Sequence, residues 1–398
     1  MHRSAWTIIA AAAFVVAFSL GIRAAFGLFL KPISAELQLG REVFSLALAF
    51  STLITGIGGP FAGAIADRYG AMRVVIGGAA FSVLGLLLAM VVQSGFGLQL
   101  TFGILLGVGS TAVSMGIAMG AVARAIPQEK RSQAFGIVMS AGSLGQFAMI
   151  PAAQAVLSTW DWRVACGILA ICAALIIPIA FGLRVPPSTG AKPPAGAASL
   201  RQALAEATGH SGFWLLTSSF FVCGFHVSYV QTHLPAFLTD RDMTPAVAAQ
   251  ALAFIGLFNV FGSFAAGWIG TRFRNRYLLA IVYLLRAVIF LPLILLPMTP
   301  TLAIVFSMFM GLFYLSTVVP TSSIVAQIFG PRYFSTLYGI VFGSHQLGGF
   351  LGSWLGGRVF DLTGSYDTMW WVAIALALLA AGLAAPLRDA PLHRPATA

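Results

Sequence analysis

Twelve apolar runs, each about as long as a bilayer is thick, constrain this chain more than any other feature. They fall at 6–30, 43–66, 74–93, 97–122, 133–157, 164–183, 213–238, 246–269, 277–296, 301–327, 335–357 and 368–387. About 20 apolar residues cross the hydrocarbon core as a helix. Backbone groups in lipid need partners within the segment, and these runs are far too long for barrel strands, so helices are the form expected. Only 8% of the residues are charged, against roughly 25% in a soluble domain, so most of the surface must face lipid. The run at 6–30 exceeds the apolar core of a cleaved signal and reads as a retained first span. Cys166, Cys172 and Cys223 all lie inside runs, form no metal-binding or disulfide pattern, and read as small core residues.

The net charge of +11 is spread over short loops rather than gathered on one face, which argues against nucleic acid and for topology signals. With the N-terminus placed in the cytoplasm, 15 basic residues fall on the cytoplasmic side and 5 (Lys31, Arg41, Arg163, Arg241, Arg358) on the other. This bias predicts both termini inside the cytoplasmic membrane, the inner membrane of the cell. Arg23 and Arg286 remain, each within a run.

The longest connection, 184–212, opens as a Pro/Gly/Ala linker and continues as SLRQALAEA, a short helix with Ser199 and Gln202 spaced as a capping box. It divides the chain into an N-terminal bundle of six at 1–183 and a C-terminal bundle of six at 213–398. The halves repeat: residues 130–147 align with 333–350 at an offset of 203, matching Gly136 with Gly339, Ile137 with Ile340 and Gly145 with Gly348. Pairs of small residues four apart, Gly103/Gly107, Gly116/Gly120 and Gly352/Gly356, read as close-packing devices. Pro151, Pro178, Pro292 and Pro320 mark bends.

Between the second and third runs stands GAIADRYGAMR, a charged island read as a water-facing loop, in which Gly63 and Gly70 allow close passage or a sharp turn. The set Gly63, Asp67, Arg68, Gly70 and Arg73 resembles the signature loop of the major facilitator superfamily, and it recurs weakly as Gly267 and Arg272, with Thr271 where Asp67 stood. The resemblance covers essentially the whole chain. It implies an all-α membrane protein of two pseudo-symmetric six-helix bundles that rock about a central site. It also implies a gating role for the loop and Arg124, with Asp67 accepting hydrogen bonds near the start of span eleven when the outer side is open.

All eleven acidic residues lie in loops or at span ends. Exchange of a cationic drug against protons needs a buried acid, and the span interiors hold none. An intramembrane arginine is costly and marks function by default. With no acidic partner, Arg23 calls for an anionic substrate; its alternative is to snorkel outward. Arg286, in the ninth run, reads rather as a cap on backbone carbonyls or a side chain that snorkels outward than as a substrate contact. Further candidates to bind substrate are His226 and Tyr229 in GFHVSYVQTHLP, Tyr314, and His345 with Gln346 in FGSHQLGG, where small neighbours leave room around the imidazole. The words around Arg23 resemble the monocarboxylate porters, and SMGIAMGAVARAI resembles the oxalate–formate exchangers, with Met115 where those carry an aromatic and His345 where they carry a lysine. Ser263 stands where carboxylate carriers of this kind hold an arginine in span eight, so a clamp for two carboxylates is not reproduced.

No phosphate-binding loop, metal cluster or nucleophile motif is present; His226 and His233 lack a third ligand. The reading is a carrier rather than an enzyme, without cofactor, metal or nucleic acid. It is taken as a monomer in the bilayer that moves a small organic anion, a monocarboxylate in particular, with the proton as a candidate coupling ion. The alternatives are an efflux carrier for a neutral or amphipathic molecule, set apart by whether Arg23 faces the cavity, and a non-transporting sensor or scaffold of the same fold.

Overall fold

A computed structural model describes residues 3–184, 200–330 and 334–390. The Pro/Gly linker, Ser199 with its capping box, and Arg332 lie outside the described residues; the short helix after them runs Leu200–Gly209. Eleven of the described helices are long and apolar enough to cross a membrane. They are spans one (Ala5–Glu36), two (Arg41–Tyr69), three (Ala71–Ala89), four (Gly95–Ala125), five (Gln133–Thr159), six (Trp162–Leu183), seven (Ser211–Asp240), eight (Pro245–Gly270), nine (Asn275–Leu295), ten (Pro300–Phe329) and twelve (Asp367–Ala384). The remaining run forms the helix Phe334–Thr363, which we number span eleven. It is long enough to span but less apolar, because His345, Gln346 and its glycines dilute the aliphatic residues.

Packing follows the repeat. Span one lies along five as seven lies along eleven; three pairs with six as nine pairs with twelve; two pairs with four as eight pairs with ten. The halves meet where two crosses eleven and five crosses eight. Small residues set how close these crossings are. A Cβ on Gly224, Gly348 or Gly352 would run into backbone of the facing helix across the seven–eleven contact; on Gly107 it would press tightly on Ser51 and Ile54 of span two, and on Gly103 it would make ordinary contact there. Gly116 and Gly120, expected to pack, do not: beyond their own segment each faces open space.

The charged island is not a loop. Span two stays helical through Tyr69 and span three begins at Ala71, so Asp67 and Arg68 ride the last turn of a helix. The whole reversal falls on Gly70, at φ 91° and ψ 143°, where a side chain would be strained. Gly63, expected to permit close passage, has nothing within 4 Å of a built Cβ.

The two ends of the molecule differ. At the end carrying Glu36 and Arg41, ion pairs join the halves: Asp240 of span seven holds Lys31 (2.9 Å) and Arg41 (2.5 Å), and Glu42 holds Arg358 (2.9 Å). Asp361 of span eleven accepts from the Arg41 and Glu42 N–H groups (3.0 and 2.8 Å), capping span two across the interface. Arg41 also stacks 3.6 Å over the Phe360 ring. At the opposite end, Gly59 and Gly63 of span two, Gly136 of five, Gly267 of eight and Gly339 and Gly343 of eleven all face open space. The ion-pair bridges close the structure at one end; at the other, among the described residues, no ion pair joins the halves.

Candidate functional site

Spans four and ten are both broken near mid-membrane. Span four ends one helix at Ala112 and restarts at Met115, with Ser114 extended (ψ 153°) between. Span ten stops at Tyr314 and restarts at Val318. The repeat offset of 203 carries Ser114 onto Thr317, so the breaks are counterparts. Matching interruptions in two halves point to the substrate site of a carrier, and freed backbone groups there need partners.

Span ten receives those partners from two directions. Arg286 of span nine is fully buried. Its Nη2 donates to the Phe313 and Tyr314 carbonyls (2.5 and 2.7 Å), and its Nε donates to Phe313 as well (3.1 Å). From the other side, Asn259 Oδ1 of span eight accepts from the Leu315 N–H (3.2 Å), while its Nδ2 donates across the halves to Ser143 Oγ of span five (3.2 Å). Cys223 is buried but is not the apolar filler expected. Its sulfur lies 3.0 Å from Thr317 Oγ1 and accepts from Arg286 Nη2 at 3.6 Å.

Arg23 occupies the corresponding interior of the N-half, just before a tightened turn at Phe26–Phe29 in span one. Its Nη2 donates to Thr52 Oγ1 of span two (2.9 Å). The Thr52 carbonyl accepts from Gln346 Nε2 of span eleven (3.2 Å), and Gln346 Oε1 accepts from His345 Nδ1 (3.0 Å). A continuous polar chain therefore runs Arg23–Thr52–Gln346–His345 from one half into the other. Arg23 also lines a cavity of about 20 Å³ with Ser19, Ser82, Ser110 and Val113, room for about one water beside the span-four break. Among the described residues Arg23 forms no ion pair.

Tyr314 donates its hydroxyl to the Val227 carbonyl (3.0 Å) and Gln231 Oε1 (3.2 Å). Met115 heads the second half of span four and is half-buried. His345 does not sit in free space. Ser344, Gly348 and Gly349 beside it pack against span seven instead, and its ring lies between Phe220 (4.8 Å) and Phe342 (5.5 Å, nearly parallel). Its Nε2 has no partner. His226 and Tyr229 are not gathered with this group. His226 donates to the Ala373 carbonyl of span twelve (2.9 Å), and Tyr229 packs on Trp370 (4.9 Å). Both face the interior of the C-half, because span seven is enclosed on nearly every side by its neighbours and turns this side inward. His233, donating to the Ser353 carbonyl (2.7 Å), is likewise structural. No cluster of metal-ligating residues exists among the described residues.

In the signature segment Asp67 accepts from Arg124 at the end of span four (2.8 Å), Arg68 lies 5.3 Å from the Tyr69 ring, and Arg73 is exposed. The start of span eleven, expected to offer Asp67 a second partner, includes 331–333, outside the described residues. Sequence reasoning missed Thr52, Asn259, Cys223 and Thr317. Only the repeat could have found Thr317, as the counterpart of Ser114.

Two pseudo-symmetric six-helix halves, meeting over paired helix breaks with a charged group between them, define a membrane carrier of the rocking type. The Major Facilitator Superfamily family model matches residues 9–323, and the chain belongs to that superfamily. Among similar curated proteins are monocarboxylate transporter 13 of Bos taurus, 27% identical over 95% of this chain and 88% of that one, and the transporter YcxA of Bacillus subtilis, 23% identical over 95% and 93%. Similar solved structures include a bacterial homologue of the human lysosomal transporter Spinster, inward-facing and unoccupied (TM-score 0.79, 16% identity, 97% of each chain). A D-xylose–proton symporter also matches (TM-score 0.76, 14% identity, 98% of this chain and all of that one). The chain is thus a multi-pass membrane transporter of this fold, with a small molecule as its substrate class.

Proposed function

We propose that this protein carries a small organic monocarboxylate across the cytoplasmic membrane by alternating access, with Arg23 as the anchor for the carboxylate. One observation carries the reading: an arginine deep in the membrane, among described residues without a carboxylate partner, bonded to Thr52 at the junction of the halves. An uncompensated buried guanidinium is costly, and a carboxylate from the substrate cancels that cost. The curated relatives named for monocarboxylates support the same class. Met115 and Tyr314 border the substrate at the two helix breaks. Gln346 ties His345 to the Arg23 chain, and His345, the titratable group nearest that chain on the C-half, is the proposed route for a coupled proton. His226 and Tyr229 shape the wall from behind rather than touching substrate. The basic-residue asymmetry supports a cytoplasmic position for both termini; on that reading the end with Asp67 and Arg124, where no ion pair joins the halves among the described residues, is the cytoplasmic one, and the structure represents an inward-open state.

Uptake of a panel of labelled monocarboxylates, dicarboxylates and neutral analogues into proteoliposomes, with and without an imposed pH gradient, tests this. A monocarboxylate is taken up, Arg23→Ala weakens its binding about ten- to a hundredfold, and Arg23→Lys restores part of the loss because charge remains without the planar fork. Equal binding by Arg23→Ala and the parent would refute the anchor.

A further inference from the structure

The pseudo-symmetry of the halves exposes a charge that one half satisfies internally and the other does not. In the N-half, the Asp67 carboxylate at the end of span two neutralises Arg124 at the end of span four (2.8 Å). The counterparts in the C-half are Thr271 after span eight and Gln327 in span ten. Both partners of the ion pair are gone, yet the surroundings have become more basic. Thr271 and Gln327 line a surface pocket of about 640 Å³ together with Arg272, Arg274, Arg276, Arg388 and Asp389. Four guanidinium groups face one carboxylate, and among the described residues none of the four arginines forms an ion pair.

Two of the pocket's polar atoms are buried and unpartnered, Asn275 Oδ1 and Arg276 Nε. Arg276 is held in the wall, donating to the Leu387 carbonyl (3.0 Å) and the Tyr277 hydroxyl (2.8 Å). Arg272 lies flat over the Trp268 ring at 3.8 Å, which pre-orients its fork. Trp268 (51%), Phe273 (67%) and Tyr277 (48%) are exposed around the rim. Aromatic rings at the end of a membrane span are the mark of the lipid interface.

We propose that this pocket, between the span eight–nine turn and the end of span twelve, binds the phosphate-bearing headgroup of an anionic phospholipid. The lipid phosphate takes the electrostatic place that Asp67 holds in the other half. Arginine forks match phosphate oxygens in pairs, and basic pockets beside membrane helices recruit anionic headgroups. The size of the pocket and its aromatic rim favour a lipid over free phosphate, which shares the chemistry but needs neither.

The test uses the full-length purified chain in nanodiscs of neutral phosphatidylcholine with graded phosphatidylglycerol, read by native mass spectrometry and thermal unfolding. The parent retains phosphatidylglycerol in preference to phosphatidylcholine and unfolds at higher temperature as its fraction rises. Arg272→Gln with Arg274→Gln, both at exposed positions, lowers that retention about thirtyfold, roughly fivefold per arginine. Thr271→Asp, which restores an internal carboxylate, lowers it as well and leaves the fold intact. Equal retention of the two lipids by the parent, or unchanged retention in the variants, overturns the proposal. Stabilisation by inorganic phosphate alone, lost in the double variant and not reproduced by phosphatidylglycerol, also overturns the lipid assignment. Labelled-acid uptake by the double variant in neutral lipid is measured alongside, so that loss of the lipid site is told apart from failure of the carrier reading.

Discussion

The two arginines within spans look alike in the sequence and do different work in the structure. Arg286 is held by the carbonyls of Phe313 and Tyr314, groups that exist as free acceptors only because span ten stops there. Arg23 bonds a hydroxyl at the junction of the halves. The sequence shows both charges, since an arginine in an apolar run is conspicuous. Which carbonyls would be free depends on a helix break that no run of residues announces: Gly311 and Pro320 bracket it, but both occur harmlessly elsewhere in this chain. The variants should separate the roles. Arg286→Leu strands two buried carbonyls, each worth about 1–3 kcal/mol, so its melting temperature in detergent should fall by several degrees. Arg23→Ala should melt near the parent and lose affinity instead. A parent-like melt for Arg286→Leu would contradict the capping role.

At the level of the helices, periodicity and length disclosed twelve elements, and the repeat paired them correctly between halves. What stayed hidden was how individual glycines are used. Gly352 and Gly116 sit in the same small-residue spacing, yet Gly352 meets the backbone of Phe225 on span seven and Gly116 meets open space. Spacing reports that two helices are able to approach; only the fold decides whether a partner is there. The pair Gly352→Leu and Gly343→Ala makes this measurable. The first forces spans seven and eleven apart and should abolish recovery of folded protein, since overpacking a close helix crossing has no side chain to yield. The second faces nothing within 4 Å and should be recovered at parental yield. Equal recovery of the two would place the close contact elsewhere. His226 and Tyr229 taught the same lesson: polar residues on a central span were visible, but not which way that span turns.

Across the whole molecule, the closed end is held by a small set of charges that bridge the halves: Asp240 to Lys31 and Arg41, Glu42 to Arg358, and Asp361 on the head of span two. Charges at span ends are legible, their partners across a half-molecule boundary are not. Asp240→Asn removes two of these attractions while keeping the shape. Spin labels at Gln38 and Leu362, one on each half at this end and both exposed, should then report a larger share of the long-distance state. An unchanged distance distribution would mean that packing alone keeps this end shut.

The same bridges have an electrochemical consequence. Lys31, Arg41, Arg163, Arg241 and Arg358, the basic residues of the closed end, are each matched to a carboxylate. At the opposite end Arg68, Arg73, Arg272 and Arg274 carry none among the described residues. With seven carboxylates against five basic residues, the vestibule of the closed end carries a slight negative excess, and the other holds a diffuse positive potential that enriches anions at its mouth within a Debye length, about 8 Å in physiological salt. Anions are enriched at the arginine side and not at the opposite side. Entry rates measured from the two faces should respond differently to ionic strength: falling steeply with salt on the arginine side, and changing weakly in the opposite sense on the other. The carrier is then a rectifier in its kinetics, whatever its equilibrium, with a bias that dissolves in concentrated salt.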